Sequence, residues 1–308
     1  MSQSRRLSLA YYAGESHPAY LAAKQFAANV ALRTHGQLEI DIIHTGVLSQ
    51  LAEQLQHVVD GKVDMAIPPH DRFSSFSRKF ACVGLPFVFD DYDHADRVLD
   101  NAFMDWAVPD LAGIGLSFLG NWELGFRHVS NSLHPILVPQ DMQGLKIRVP
   151  PILQIRAAIQ AMGAEALPIE YIHLTQSLRQ GLVDGEENPI SVIHALKLYD
   201  TQKYLSLLGY NYSAMVHVIN KACFDSLSAE QRQILCEESK LAGLLARDLM
   251  RSHEMQQIAE LEFFGVRVDR PDLAPFKLAV KPAYKILRAS FGADVINPFL
   301  KMVEKARC

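Results

Sequence analysis

The chain has 308 residues, of which 49% are hydrophobic and 21% are charged, and its formal net charge is −4. Disordered chains are poorer in apolar residues and more lopsided in charge, and nucleic-acid binders usually cluster Lys and Arg, so the composition argues against both classes. At about 100–200 residues per domain, the length predicts two domains or one large one.

The first part of the chain alternates strand and helix patterns, which is typical of an α/β protein. Ser16 or His17 is suited to cap the first helix, and Pro18 costs no hydrogen bond in a first turn. The predicted elements, in chain order, are a strand at 7–12, a helix at 18–33, a strand at 38–42, a helix at 51–59 and a strand at 63–67.

A second block repeats this pattern. Its predicted elements are a helix at 151–162, an extended piece from 167, a helix at 171–179 and a strand from 183. Segment 60–64 (DGKVD) matches segment 180–184 (QGLVD) at three positions and in the same helix–Gly–strand context. This match indicates either two similar lobes or a chance likeness between two ordinary turns.

The C-terminal part is helical. A stretch at 229–263 carries leucines four residues apart, and at 1.5 Å per residue it would reach roughly 50 Å, enough to cross two lobes. Further helices are predicted from 275 and at 297–306. No apolar run approaches the roughly 18–20 residues that span a bilayer, so the protein is not expected to be membrane-spanning.

The N-terminal residues 1–6 (MSQSRR) resemble the charged start of a signal peptide, but no apolar stretch or cleavage site follows them. Two interpretations remain open: the protein is cytoplasmic, or a leader has been removed.

No catalytic, cofactor or metal motif has the spacing that its chemistry requires, so we expect no catalytic residue, cofactor or metal. Asp91 and its acidic neighbours favour capping of a helix start over a calcium loop. No Cys-x-x-Cys pair is present, which predicts ordinary buried thiols at Cys82, Cys223, Cys236 and Cys308.

Two arginines stand out near predicted strand ends. Arg127 ends segment 121–127 (NWELGFR), and Arg148 lies in segment 144–150 (GLKIRVP), where it shares one strand face with Lys146. An arginine held on a stiff apolar strand is suited to bidentate recognition of a carboxylate. The alternative is a surface salt bridge.

Asn188 precedes a proline in segment 183–189 (VDGEENP). Its position favours extended backbone, and its amide can both donate and accept a hydrogen bond. On local grounds alone, a simple turn is the alternative.

Together these segments resemble the signatures of the solute-binding proteins of tripartite ATP-independent periplasmic (TRAP) transporters, the DctP-like family. The likeness follows the same order along essentially the whole chain. The segments that carry it are 61–65 (GKVDM), 84–89 (GLPFVF), 141–150 (DMQGLKIRVP), 183–189 (VDGEENP) and 224–228 (FDSLS).

The resemblance implies roles for polar residues. Arg148 would clamp the ligand carboxylate, Arg127 would support it, and Asn188 would donate a hydrogen bond to it. Arg72 matches a position where some members place a further ligand-contacting arginine.

Aromatic positions follow in the same way. Tyr171 matches a residue that packs on the ligand, and Tyr212 matches a tyrosine of a His-x-Tyr-like segment in which Tyr210 replaces the histidine. Tyr12 and Trp122 are candidate pocket walls, with core packing as the alternative for each.

The implied fold has two α/β lobes, joined by crossing strands and the long helix, with a ligand cleft between them that closes by a hinge. The lobes would comprise 1–124 with 213–252, and 125–212 with 253–308. The implied function is periplasmic capture of a small organic carboxylate (a hydroxy, keto or aromatic acid) and its delivery to the membrane subunits of a TRAP transporter. The alternative is a cytoplasmic enzyme acting on small acids.

One departure bears on the ligand. The loop at 66–70 (AIPPH) has Pro68 and Pro69 where members that bind polyhydroxylated acids often have a polar or acidic side chain. Proline offers no side-chain hydrogen bond, so this loop disfavours a sugar acid.

Overall fold

The computed structural model describes residues 4–11, 14–15, 17–44 and 51–307. The chain forms two compact units, and each consists of three chain segments. Unit 1 comprises 1–80, 99–124 and 214–252, and unit 2 comprises 81–98, 125–213 and 253–308.

The division differs from the predicted lobes chiefly at 81–98, which was expected in the first lobe and groups with unit 2. Hydrogen bonds explain the grouping. The Asn211 side chain donates to the Gly84 carbonyl (2.6 Å), and the Phe87 amide donates to the Tyr210 carbonyl (2.7 Å).

Unit 1 is built on a sheet with the strand order β2-β1-β3-β8, in which β1 is parallel to β2 and β3, and β3 is antiparallel to β8. Its strands are β1 (Arg5–Tyr11), β2 (Leu38–His44), β3 (Met65–Ala66) and the end of β8 (Tyr204–Asn220). Its helices are α1 (Pro18–Arg33), α2 (Leu51–Val59), α5 (Ala102–Ala107), α6 (Pro109–Ala112), α10 (Lys221–Asp225) and most of α11 (Ala229–Phe263).

Unit 2 is built on a sheet with the order β4-β7-β5-β6, in which β5 is parallel to both of its neighbours and β7 is antiparallel to β4. Its strands are β4 (Leu116–Asn131, second half), β5 (Lys146–Val149), β6 (Glu165–Pro168), β7 (Gly185–Pro189) and β9 (Arg267–Asp269), which pairs with the start of β8. Its helices are α4 (Tyr92–Leu99), α7 (Leu153–Ala161), α8 (Leu174–Arg179), α9 (Ile190–Ala195), α12 (Ala274–Ala279), α13 (Lys281–Phe291) and α14 (Ala293–Lys305), and α3 (Arg78–Ala81) lies at the boundary of the two units.

The predicted α/β class is confirmed, and most predicted elements are present. Strands β4 and β8 and helix α11 contribute residues to both units, as expected for crossing segments. The predicted strand at 63–67 is only two residues long, and the predicted helix at 171–179 begins as a 3-10 turn (Tyr171–His173) before α8. Within the described residues, no helix is long and apolar enough to cross a bilayer.

Two predicted helix-capping residues, His17 and Asp91, are confirmed. His17 caps α1, since its Nδ1 accepts from the Ala19 amide (3.3 Å), and Asp91 Oδ1 accepts from the His94 amide (2.7 Å) in the first turn of α4. Ser16 lies outside the described residues.

The cysteine prediction needs a correction. Cys82 is buried, but Cys223 and Cys236 are only partly buried, because each lies on a helix with one face toward solvent. Cys308 lies outside the described residues. In the part of the chain that the structure describes, no group of His, Cys, Asp and Glu side chains is arranged to hold a metal ion.

Candidate ligand-binding site

Strand β5 places Arg148 in a buried position. Its neighbours Ile147 and Val149 point into a hydrophobic core of unit 2. Lys146, on the same strand face as Arg148, is exposed, whereas Arg148 is only 1% exposed and donates from Nε to the Ile169 carbonyl (2.8 Å). The alternative of a surface salt bridge is therefore wrong for Arg148.

Arg148 has an unused donor. Its Nη2 is buried, and no acceptor among the described residues lies within hydrogen-bond distance. Burial lowers the pKa of Arg148 to about 10, so the guanidinium still carries its charge at neutral pH. An unmade hydrogen bond to a buried charged group is costly, and a carboxylate supplied by a ligand would make it.

Arg127 is engaged within the protein. Its Nε and Nη2 donate to the two carboxylate oxygens of Glu187 (2.5 and 2.8 Å), and Nη2 also donates to the Glu187 carbonyl (2.9 Å). The Tyr210 hydroxyl donates to the same carboxylate (2.7 Å). Arg127, Glu187 and Tyr210 therefore form one buried hydrogen-bonded group, in which Glu187 is 0% exposed.

Asn188 connects this group to a second acid. Its Oδ1 accepts from Arg127 Nη2 (3.1 Å), and its Nδ2 donates to Glu186 Oε2. An amide nitrogen carries two hydrogens, so Nδ2 retains one donor for another acceptor. Asn188 is therefore held in one orientation with one donor available.

Glu186 is 0% exposed and lies in register with Ser130 on β4 and with Arg148 on β5. Its Oε1 accepts from the Ser130 hydroxyl (2.7 Å), which lies 3.3 Å from Gln202 Oε1. Burial raises the pKa of Glu186 to about 7, although the hydrogen bonds from Asn188 and Ser130 oppose the rise.

Sequence reasoning missed Glu186, Glu187 and Tyr210 as parts of this site. A signal was present: two consecutive acids lie in a short strand that begins two residues after Val183 and ends at Pro189. Consecutive strand residues face opposite sides of a sheet, so one of the two acids had to be on a covered face. Which partners they meet depends on the neighbouring strands.

Tyr171 lies near the same groups. Arg148 and Glu186 both act on the pKa of its hydroxyl, which burial raises. Its ring is partly buried against a hydrophobic cluster of unit 2 that includes Leu174 and Leu178.

Tyr212 is only 1% exposed and belongs to an aromatic cluster of unit 2. Its ring packs edge-on against three others, those of Phe89 (5.5 Å between centroids), Tyr92 (6.3 Å) and Phe126 (5.1 Å). The structure gives Tyr212 a packing role, and its predicted contact with ligand stays a prediction.

The remaining predicted residues belong to unit 1. Arg72 is mostly buried, and its Nε lies 3.5 Å from Asp71 Oδ1. Trp122 is 1% exposed and packs edge-on against Tyr11 (6.0 Å between centroids), as core packing requires. Tyr12 lies outside the described residues.

Comparison with known proteins decides the family. Residues 9–290 match the family model described as bacterial extracellular solute-binding protein, family 7 (DctP). The chain belongs to this family.

Named relatives agree with the assignment. The 2,3-diketo-L-gulonate-binding periplasmic protein YiaO of Escherichia coli is 32% identical over 265 residues, which cover 86% of this chain and 81% of the relative. A TRAP solute-binding protein from a Polaromonas species, bound to D-erythronate, has a TM-score of 0.90 and 29% identity and covers 97% of this chain and 98% of its own. The sugar-acid-binding protein DctPAm of Advenella mimigardefordensis, in complex with galactonate, has a TM-score of 0.93 and 26% identity, with 99% of each chain covered.

The family 7 assignment confirms the resemblance, the periplasmic location and the transport role. Proteins of this family bind small acid ligands and work with the membrane subunits of TRAP transporters. Family members are binding proteins rather than enzymes, and the comparisons give no support to the enzyme alternative.

The hydroxyl of Tyr210 gives a first prediction for this family 7 protein. We expect Tyr210→Phe to lower the free energy of unfolding by about 2 kcal/mol, because a hydrogen bond to a charged group contributes about 1.5–3 kcal/mol. Urea denaturation at neutral pH measures the change. Tyr284→Phe is the control, since its hydroxyl donates to the neutral Pro86 carbonyl (2.8 Å) and should cost about 1 kcal/mol. Equal losses in the two variants would show that the charge on Glu187 contributes nothing.

Proposed function

We propose that Arg148 binds the carboxylate of the transported acid, with Asn188 donating a further hydrogen bond. The observation that carries the proposal is the buried Nη2 of Arg148, which has no hydrogen-bond partner among the residues that the structure describes. Its Nε is held by the Ile169 carbonyl, so the plane of the guanidinium is fixed before ligand arrives. The two Nη groups can then meet the two carboxylate oxygens as parallel hydrogen bonds.

Arg127 is proposed to act mainly as a positioning residue. Its Nε and Nη2 donate to the carboxylate of Glu187, and Nη2 also donates to Asn188 Oδ1 and so orients the Asn188 amide. This differs in emphasis from the sequence expectation, which placed Arg127 against the carboxylate itself. A direct contact would have to come through Nη1, which is 3.5 Å from the Ser213 hydroxyl.

The ligand is proposed to be a small hydroxylated or keto monocarboxylic acid. The relatives that bind diketogulonate, erythronate and galactonate support this class. Tyr171 would pack against the body of such an acid. Diketogulonate, erythronate and galactonate are sugar acids, so the proposed class departs from the expectation that Pro68 and Pro69 disfavour a sugar acid. That expectation stays a prediction. We further propose that the chain captures the acid without converting it, in keeping with its family.

A thermal-shift screen tests the proposal with matched pairs of compounds. The pairs are D-erythronate with erythritol and D-galactonate with galactitol, so that each pair differs in the carboxylate. Pantoate is added as a branched acid. A ligand that binds only the folded state adds about 2.7 kcal/mol of stability at a hundredfold excess over Kd.

We expect at least one acid to raise the unfolding temperature of the wild type, and neither polyol to do so. Arg148→Ala should abolish the shift. A shift with the polyols alone, or an equal shift in Arg148→Ala, would reject Arg148 as the carboxylate clamp, and conversion of a bound acid into another compound would reject pure capture.

A further inference from the structure

Four buried charged residues lie on the adjacent strands β4, β7 and β5: Arg127, Arg148, Glu186 and Glu187. We call them the charge cluster. None is more than 5% exposed, and their charges sum to zero when both acids are ionised. A ligand carboxylate would therefore leave one uncompensated negative charge away from water, which is costly unless a group changes its protonation state.

The two acids of the charge cluster differ in their hydrogen-bond partners. Glu187 has a bidentate arginine and a tyrosine hydroxyl as partners. Among the described residues, Glu186 accepts hydrogen bonds only from the uncharged side chains of Ser130 and Asn188. Its register neighbour on β5 is Arg148, so the cation beside Glu186 is the one that the ligand requires.

We propose that Glu186 takes up one proton from solvent when a carboxylate binds to Arg148, so that ligand binding is coupled to protonation. This rests on the proposed function of Arg148. In the free protein Arg148 offsets part of the negative charge of Glu187 and Glu186, and in the complex it balances the ligand. The neutral Glu186 then restores a net charge of zero.

The surroundings of Glu186 can serve both protonation states. A hydroxyl both donates and accepts. The Ser130 hydroxyl donates to an ionised Glu186, as observed at 2.7 Å. When Glu186 carries a proton, Ser130 can accept it and turn its own hydrogen toward Gln202 Oε1, 3.3 Å away. This exchange requires only that the Ser130 hydroxyl hydrogen turns.

The charged and titratable groups that act on Glu186 or on Arg148 come from β4, β5, β7 and the segment between β6 and α8. Arg148 favours the ionised form and Glu187 opposes it, and Glu186 in turn acts on the Tyr171 hydroxyl. Arg127 lowers the pKa of Arg148, and Glu170 raises it. The negative charge of the ligand decides whether binding takes up or releases a proton. A second carboxylate nearby raises the pKa of Glu186 above its value of about 7 in the free protein, so binding takes up a proton.

Binding of the acid is expected to weaken as the pH rises. Because the bound protein holds its proton more tightly, binding is strongest below pH 7 and weakens as the pH rises above that value. The weakening approaches tenfold in Kd per pH unit until the pKa of the complex is reached.

Titration calorimetry tests the coupling with whichever of D-erythronate, D-galactonate and pantoate binds most tightly. The heat is measured at pH 6 and pH 8 in phosphate and in Tris, whose ionisation enthalpies differ, so the protons exchanged per ligand can be counted. For the wild type we expect about 0.1 proton taken up at pH 6 and about 0.9 at pH 8, with Kd roughly tenfold weaker at pH 8. Glu186→Gln should take up none, and its Kd should be nearly the same at the two pH values.

Glu165→Gln is the matched control, since Glu165 is an exposed acid on β6 and should leave proton uptake unchanged. Tight binding at pH 8 without proton uptake by the wild type would overturn the coupling and leave the carboxylate site intact. If the Glu186→Gln variant still takes up a proton on binding, the proton goes to another group, and the proposed role of Glu186 is wrong. If none of the acids binds at either pH, the proposed function itself fails, which is a separate result.

Discussion

Arg148→Lys is expected to weaken binding of the acid almost as much as Arg148→Ala. Lysine keeps the charge but presents a single compact ammonium group, so it loses one of the two parallel hydrogen bonds to the carboxylate. It also loses the anchor to the Ile169 carbonyl, which fixes the guanidinium plane. Truncating one partner of a buried charge pair costs about 2–5 kcal/mol, or roughly 30-fold to several thousandfold in Kd.

Isothermal titration of the variants with one acid checks this expectation, and Lys146→Ala is the matched control. Lys146 lies two residues away on the same strand and is exposed, so it tests attraction by positive charge alone. We expect its Kd to stay within about twofold of the wild type, as for surface charges in general. A near-native Kd for Arg148→Lys would show that position 148 contributes charge rather than geometry.

Gly185→Ala is expected to destabilise the protein by on the order of 3 kcal/mol. A Cβ at this position would lie 2.2 Å from the Ser130 carbonyl oxygen and 2.9 Å from Ile147 Cδ1. Both neighbours belong to strands that pair with β7, so the strain cannot be relieved by rotating one flexible side chain. The adjacent Glu186 would shift with the strand, and binding of the acid should weaken as well.

Gly113→Ala provides the control for this prediction. Gly113 has a helical backbone with φ −65°, and its added Cβ would make only an ordinary contact at 3.4 Å. An alanine there should be neutral or stabilising by up to about 1 kcal/mol. Urea denaturation of both variants measures the two changes, and equal stabilities would show that β7 can move away from β4 at little cost.

The sequence by itself determined the α/β class, most of the elements predicted from it, and the family. Alternation placed Ile147 and Val149 on one face of β5 and Arg148 on the other, because successive strand residues point to opposite sides. Motifs in a fixed order predicted a periplasmic solute-binding protein, which the family match confirms. The strand alternation and each single motif involve residues that are close together along the chain, and the order of the motifs can be read directly from the sequence.

Only the tertiary structure decided what the two arginines do. Strand β7 lies between β4 and β5, so Glu187 pairs with Arg127, whereas Glu186 lies in register with Arg148 but makes no hydrogen bond to it. These pairings join residues at least 38 positions apart in the chain. Spacing along a strand fixes which face a side chain takes, but the partner on that face depends on strand order and register. The energy of a buried charge depends on that partner. Local patterns could therefore identify the two arginines, but they could not show that Arg127 is paired with a carboxylate while Arg148 has a donor with no acceptor among the described residues.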